Sequence, residues 1–330
     1  MLKSGLFPSN RMLLNTAPPL RSEYERSAAP RRRALRGCTE FVRWYIIGLV
    51  LWGALGSGAL LAVAVLVQPD PANILILGLD RRPGESLISR SDTMILARVD
   101  PAGPAINLLS IPRDLWVTLP DGGPNRINTA HRFAELNDAG SGPAAAMQTV
   151  AANFGVSVDH YVRIDFEGFV RIIDAMGGIT INVENNFVDY QYPTYDNGTM
   201  VVSFEAGVQH MDGERALQYA RIRHGSSDFV RAARQQQIVA AVARRVLQPG
   251  AWLRLPALVG AFSTAVDTDM GFLEAVRFAP TLVRVGPDAI TRWVIEGEMV
   301  QPYKTPGGAA VQLPVWEQID PVLRDYFGKP

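Results

Sequence analysis

Apolar residues fall along this chain in three patterns. The first is an unbroken run, WYIIGLVLWGALGSGALLAVAVLV (44–67), with no charge in 24 residues. At ~1.5 Å per residue a helix of this length crosses a hydrocarbon layer of ~30 Å, and it lacks the polar stripe of a core helix. It is longer than a signal-peptide core and begins only after residue 43, so it predicts a transmembrane helix. The second pattern is the short apolar block with a polar end. NILILGLD (73–80) reads as a strand buried on both faces that delivers Asp80 at its carboxyl end. DTMILARV (92–99) and AINLLSI (105–111), joined by the turn PAGP, read as a hairpin, and PRDLWVTLP (112–120) continues in extended form. Further strands are predicted at about 160–165 and over ITINVE (179–184). The third pattern is helical: HRFAELNDAG, the segment from Pro143 to Phe154, and the stretch after the strand near 165, which stops at Gly177 and Gly178. MDGERALQYA opens another helix that Asp212 can cap, and one more is predicted from about Phe229 to Leu247. Residues 185–210 read as turn chemistry. The alternation predicts an α/β or α+β sandwich with a mixed sheet.

Charge divides the chain further. Residues 1–43 carry nine Lys/Arg against three acids, and Arg31, Arg32, Arg33, Arg36 and Arg43 crowd the amino side of the apolar run. The positive-inside rule keeps that tail in the cytosol and sends the rest outside. The tail is rich in Pro, Ser and Arg, a composition of disorder. Gln68-Pro-Asp-Pro71 is a linker, and no second one follows. The expected organisation is a basic cytoplasmic tail (1–43), a membrane span (44–67) and one extracytoplasmic domain (68–330). Cys38 is the single cysteine and the four histidines fall in no zinc spacing with it, which argues against a transition-metal centre.

Beyond the tail the balance is acidic, 23 bases against 29 acids, yet YARIRHGSSDFVRAARQQQ (219–237) holds four arginines and one aspartate. On a helix from 229, Arg231, Arg234, Gln235, Ile238 and Val242 fall along one side, cationic at its start and apolar beyond. Free backbone N–H groups at a helix start also favour an anion, and Arg221 and Arg223 lie just upstream. Planar guanidinium forks suit a phosphate or diphosphate. A solvated arginine surface is the plainer reading, and the concentration of charge weighs against it. The glutamines cannot all face one ligand, so at least one is expected on plain helix surface. Asp80 and Asp92 sit at strand boundaries joined by one loop. They either converge on a hard cation such as Mg²⁺, with Mn²⁺ the alternative, or are neutralised by Arg81, Arg82 and Arg90. No GxSxG, GxxxxGK[ST], HExxH or Rossmann glycine pattern is present, which removes support for proteolysis, ATP hydrolysis and hydride transfer.

NILILGLDRR, SRSDTMILARVD, INLLSIPRDLWV, NRINTAH, VDHYVRIDFEGFVRIIDAMGGITINV, HMDGERALQYARIRH and SDFVRAARQQQ, in this order after one apolar span, resemble the LytR/CpsA/Psr (LCP) family of cell-envelope proteins. The resemblance implies an LCP-type α/β/α sandwich around a mixed sheet, with an apolar groove for a polyprenyl chain. It implies a phosphotransferase that moves a glycopolymer such as teichoic acid or capsule from a polyprenyl diphosphate carrier to peptidoglycan. The diphosphate would be bound by Arg82, Arg113, Arg221, Arg223, Arg231, Arg234 and Gln235. Asp80 and Asp92 would hold Mg²⁺, and Asp80, Asp92, Arg113 and Arg223 would carry the catalysis. The usual small residue after Asp80 is Arg81 here, and a glycine common before the helical arginine pair is Val230.

The reaction implied is attack by a sugar hydroxyl on the sugar-linked phosphorus, with polyprenyl phosphate leaving and Asp92 or Asp114 as candidate bases. The partners implied are the lipid-linked glycan, a peptidoglycan acceptor and membrane lipid, at the cell membrane. Nucleic acid is not among them, because residues 1–43 hold no helix-turn-helix pattern for a transcriptional attenuator. A non-enzymatic glycan-binding protein would need the same arginines; the two aspartates favour the enzyme.

Overall fold

The computed structural model describes residues 43–49, 51–53, 55–56, 58, 69–81, 87–194, 198–222 and 228–330. Contacts divide the chain between Val63 and Ala64 into two units. In the first, the described residues are helical. Among the described residues no helix is long and apolar enough to cross a membrane, and the span expected over 44–67 lies partly outside them.

The second unit is built on a six-stranded mixed sheet. Its strands include β1 (Ala72–Leu79), β2 (Ser91–Asp100) and β3 (Ala105–Ser110). The short hairpin β4 (Trp116–Thr118) and β5 (Pro124–Arg126) and the helices α1 (Thr129–Asn137) and α2 (Gly142–Phe154) lead to β6 (His160–Asp165). α3 (Phe166–Ala175), β7 (Ile179–Val183), β8 (Phe187–Pro193), β9 (Thr199–Phe204), β10 (Gly207–Met211), α4 (Gly213–Arg221) and α5 (Asp228–Val246) follow. The chain then runs through α6 (Pro249–Trp252), α7 (Leu255–Ala265), β11 (Val266–Thr268), α8 (Phe272–Val285), β12 (Thr291–Val294), β13 (Val300–Lys304), β14 (Ala310–Pro314) and α9 (Trp316–Phe327). The sheet order is β11-β6-β1-β2-β3-β12. β1 runs antiparallel to β2 and parallel to β6, and β2–β3 is the expected hairpin.

Strand alternation gives the sheet two apolar faces. Leu75, Leu77, Met94, Leu96 and Leu109 face one way and pack with Ala130 of α1, Phe154 of α2 and Leu323 of α9. Ile95, Ala97 and Leu108 face the other way, with Ile74 and Ile76, and pack with Val239 of α5 and Leu282 of α8. Helices thus cover both faces, the expected α/β/α layering. β1 differs from the expected fully buried strand in one respect: Leu75, Leu77 and Leu79 are buried, whereas Ile74, Ile76 and Gly78 are only partly so. The second face opens at its end into a cavity.

Local signals act as expected at Asp212 and at Gly177–Gly178, and Asp165 adds a cap that the sequence reading did not name. Asp165 caps α3 by accepting from the Gly168 N–H at 2.8 Å, and Asp212 caps α4 by accepting from Arg215 N–H at 2.8 Å, caps worth about 1 kcal/mol each. Gly177 and Gly178 take φ of +77° and +84° after α3, which side chains resist. The stretch 185–210 is a correction: it contains β8, β9 and β10 rather than turns alone. Its asparagines, glycines and single proline punctuate strands too short to show their alternation, and Tyr192, Val202 and Phe204 join a core with Ile179, Met211 and Tyr219.

Under α1 lies a buried ionic network of His131, Glu135 and Arg163. A Cβ on Gly142 would stand 2.7 Å from both His131 and Glu135 side chains. Gly142→Ala therefore overpacks this network and should lower stability by about 1–3 kcal/mol in thermal unfolding.

Candidate functional site

The site forms where β1 ends, β2 begins, and the ends of α4 and α5 approach the sheet. Arg82 and Arg223 lie outside the described residues. Asp80 follows β1, and its carboxylate stands 4.0 Å from Nη2 of Arg221, the last residue of α4. The Arg221 guanidinium lies over the Phe166 ring at 4.2 Å from its centroid and 5.3 Å from that of Tyr192, and it donates to the Tyr192 hydroxyl at 3.1 Å. Stacking and a hydrogen bond hold the planar cation in one orientation. Asp92, on β2, accepts from Arg113 Nη1 at 3.1 Å and from Asn128 Nδ2 at 3.2 Å.

Three adjoining cavities connect these groups. One of about 30 Å³ is lined by Asp92, Arg113, Arg231 and Gln235. Its neighbour, about 80 Å³, is lined by Asp80, Asp92, Phe166, Arg221, Arg231 and Gln235. A third, about 140 Å³, shares Gly78, Thr93, Phe166, Ala220, Arg221 and Gln235 with the second and apart from Asp165 is otherwise apolar, with Ile76, Ile95, Ile164, Phe169, Ile238 and Val239 among its walls. Gly78 pairs with Thr93 across the strands, and a Cβ on it would lie 2.8 Å from the Thr93 Cβ. The missing side chain allows that approach at the junction of polar and apolar space.

Of the expected site residues, Asp80, Asp92, Arg113, Arg221, Arg231 and Gln235 thus share one cavity system. Arg234 does not line any of the three cavities. It is buried to 2% exposure, donates to the carbonyls of Tyr219 and Ile222 at 3.2 and 2.9 Å, and lies over the Phe187 ring at 5.0 Å. Burial holds its pKa below the usual arginine value. Around the helix Arg234 stands ~60° to one side of Arg231 and Gln235 ~40° to the other, so the two part by ~100° and only Gln235 reaches the cavities. The apolar continuation likewise runs through Ile238 and Val239, while Val242 packs into the core around Tyr219.

The glutamines take three different seats. Gln235 lines the cavities, Gln236 donates to Ser110 Oγ and the Trp293 carbonyl, and Gln237 accepts from the Tyr219 hydroxyl and donates to Glu184. None of them is plain surface, contrary to the sequence reading. Arg81 pairs with Asp165, the α3 cap, rather than with Asp80 or Asp92. Asp114 lines none of the three cavities. Phe166, Tyr192 and Asn128 were missed as site residues. Asn128 and Phe166 stand inside the quoted NRINTAH and RIDFEGF segments; nothing local marks Tyr192, which arrives from β8.

Relatives share this frame. The chain is 34% identical to the polyisoprenyl-teichoic acid–peptidoglycan teichoic acid transferase TagU of Oceanobacillus iheyensis, over 70% of this chain and 68% of that protein. It is 37% identical to the transferase of the same name from Halalkalibacterium halodurans, over 61% and 62% of the two lengths. The chain thus spans about two thirds of these relatives' length. The crystal structure of B. subtilis TagV matches with a TM-score of 0.64 at 26% identity, covering 80% of this chain and all of that one. TagT bound to LIIa-WTA matches at 0.62 and 20% identity, over 79% and 91%, a likeness of fold. The LytR_cpsA_psr family model matches residues 61–319, and the chain belongs to that family.

Proposed function

We propose that this chain is a transferase that moves a glycopolymer from a polyprenyl diphosphate carrier to peptidoglycan, leaving a phosphodiester. One observation carries the reading: two polar cavities lined by Arg113, Arg221, Arg231 and two aspartates adjoin a mainly apolar one. A diphosphate joined to a prenyl chain has those two halves in that order. The names of the TagU relatives, which specify a polyisoprenyl-linked donor and a peptidoglycan acceptor, agree with it.

In the proposed reaction an acceptor hydroxyl attacks the glycan-linked phosphorus, the bond from that phosphorus to the bridging oxygen breaks, and polyprenyl phosphate leaves with the electron pair. Arg221 and Arg231 stabilise the charge that collects on the phosphoryl oxygens, which is the main demand of such a transfer. Asp80 and Asp92 line one cavity, a donor set that fits a hard cation. Mg²⁺, or Mn²⁺ in its place, would be held by Asp80 and Asp92 and would neutralise diphosphate charge. Asp92 is the better placed of the two candidate bases, since it lines the cavity and Asp114 does not. The apolar run 44–67 would anchor the chain in the membrane with the transferase unit outside.

Purified full-length protein given a lipid-diphosphate-linked saccharide and peptidoglycan fragments should form the phosphodiester product and release polyprenyl phosphate. EDTA should stop the reaction and added Mg²⁺ restore it. Product formation unaffected by EDTA removes the metal role from Asp80 and Asp92; no product from any lipid-linked glycan removes the transferase reading.

A further inference from the structure

The NRINTAH segment meets the connection between Asp80 and Asp92 at Ser89 and at Asp92 itself, without lining the apolar cavity. From its end, Asn128 donates to Asp92. His131, with no exposed surface, stands 3.0 Å through Nδ1 from the Ser89 carbonyl, and the Ser89 hydroxyl donates to the Asp80 carbonyl at 3.0 Å. The other ring nitrogen, Nε2, lies 3.1 Å from Nη1 of Arg163. Arginine only donates, so Nε2 accepts, and Nδ1–H donates to Ser89: the imidazole is neutral and its tautomer is set. Arg163 sits on β6 opposite Leu77 of β1 and is itself held by Glu135 at 2.6 Å and Asp267 at 2.7 Å. Glu135 accepts from the main chain at Gly140 and Gly142. The network therefore reaches from the sheet through one buried histidine to the residues that flank both carboxylates.

We propose that His131 and Asn128 are positioning residues for the Asp80–Asp92 pair, Asn128 by gripping the Asp92 carboxylate and His131 by fixing Ser89 and, through its hydroxyl, the main chain of Asp80. The inference rests on the transferase reading for its kinetic consequence but not for its geometry. A neutral imidazole is required, because an imidazolium has no lone pair for Arg163 and would place a second cation beside it. The groups that face the ring are Arg163 of β6, Asp267 of β11 and Glu135 of its own helix, and burial is the largest influence, holding its pKa below the ordinary histidine value. The unfolded chain therefore binds this proton first as pH falls; the bracket is complete above the ordinary histidine range and weakens as acidification approaches the lowered folded value.

Ser89→Ala and His131→Gln, singly and together, test this in the full-length protein. Hydrogen exchange should quicken at least ~10-fold at residues 79–81 and 87–92 while the β6 amides stay protected. In the transfer assay His131→Gln should lower kcat ~10-fold or more with KM little changed, Ser89→Ala should act in the same direction, and the double variant should lose no more than His131→Gln alone, because both act through one chain of bonds. Should His131→Gln fail to fold, Ser89→Ala carries both readouts by itself. Unchanged exchange at 79–81 and 87–92 overturns the inference whatever the enzyme does, as does a fall in thermal stability with kcat intact. Quickened exchange in a protein whose wild type transfers nothing supports the bracket and counts against the transferase reading instead.

Discussion

Arg221→Ala should lower the transfer rate at least ~100-fold and leave the protein folded. The rate follows from where this cation stands. Its guanidinium lies over the Phe166 ring and near the Tyr192 ring, and Arg221 lines both a polar and the apolar cavity. A diphosphate whose prenyl chain enters the apolar side must pass it. Loss of one preoriented donor to a developing oxyanion commonly removes ~10²–10³ of rate. Folding should survive because Arg221 is the last residue of α4, where truncation leaves the helix bonds intact. Its polar contacts at the site are the Tyr192 hydroxyl at 3.1 Å and the Asp80 carboxylate at 4.0 Å, and Asp80 lines a cavity where water can replace the cation. Arg221→Lys separates charge from geometry. Lysine keeps the charge and loses the fork and the stacked plane, so it should recover only a small part of the rate. Steady-state transfer kinetics with thermal unfolding of each variant decide the matter: wild-type turnover in Arg221→Ala would displace the reacting phosphorus from this corner.

How far the sequence reveals this arrangement depends on whether the determining contacts are local. NILILGLD and DTMILARV announce strands, and their ends present Asp80 and Asp92, so the carboxylate pair follows from strand registry that the hydrophobic pattern already implies. The caps at Asp165 and Asp212 and the stop at Gly177–Gly178 are likewise local. Arg221 is visible as charge, but the rings that hold it come from α3 and β8, 55 and 29 residues earlier in the chain, and no short-range pattern encodes that meeting. The glutamine triplet shows the same limit. Helical rotation places Gln235, Gln236 and Gln237 about 100° apart, but which of them meets a cavity, a strand or another side chain depends on what lies around α5. The short strands of 185–210 and the elements after α6 depend on packing in the same way, since their turn residues are as common between strands as in irregular loops.

Arg234 is where local and tertiary logic part, and its replacement should have the largest effect on stability. Periodicity groups it with Arg231 as a ligand for phosphate, whereas its guanidinium donates to the carbonyls of Tyr219 and Ile222 at the end of α4. Helix ends leave such carbonyls without helical partners, and a buried one that loses its donor is costly. Arg234→Ala should therefore destabilise the fold by about 2–4 kcal/mol, from the orphaned carbonyls and the space left against Phe187. For a unit of this size each kcal/mol lowers Tm by roughly 2–4 °C. Activity should fall mainly as the folded fraction falls, with an added loss through α4, because the same carbonyls flank Arg221. A diphosphate ligand predicts the reverse, weakened binding of inorganic pyrophosphate at unchanged Tm. Calorimetric titration of pyrophosphate beside a melting curve, for Arg231→Ala and Arg234→Ala together, separates the two roles: Arg231, which lines both polar cavities, should lose binding and keep much of its Tm, and Arg234 should lose Tm first.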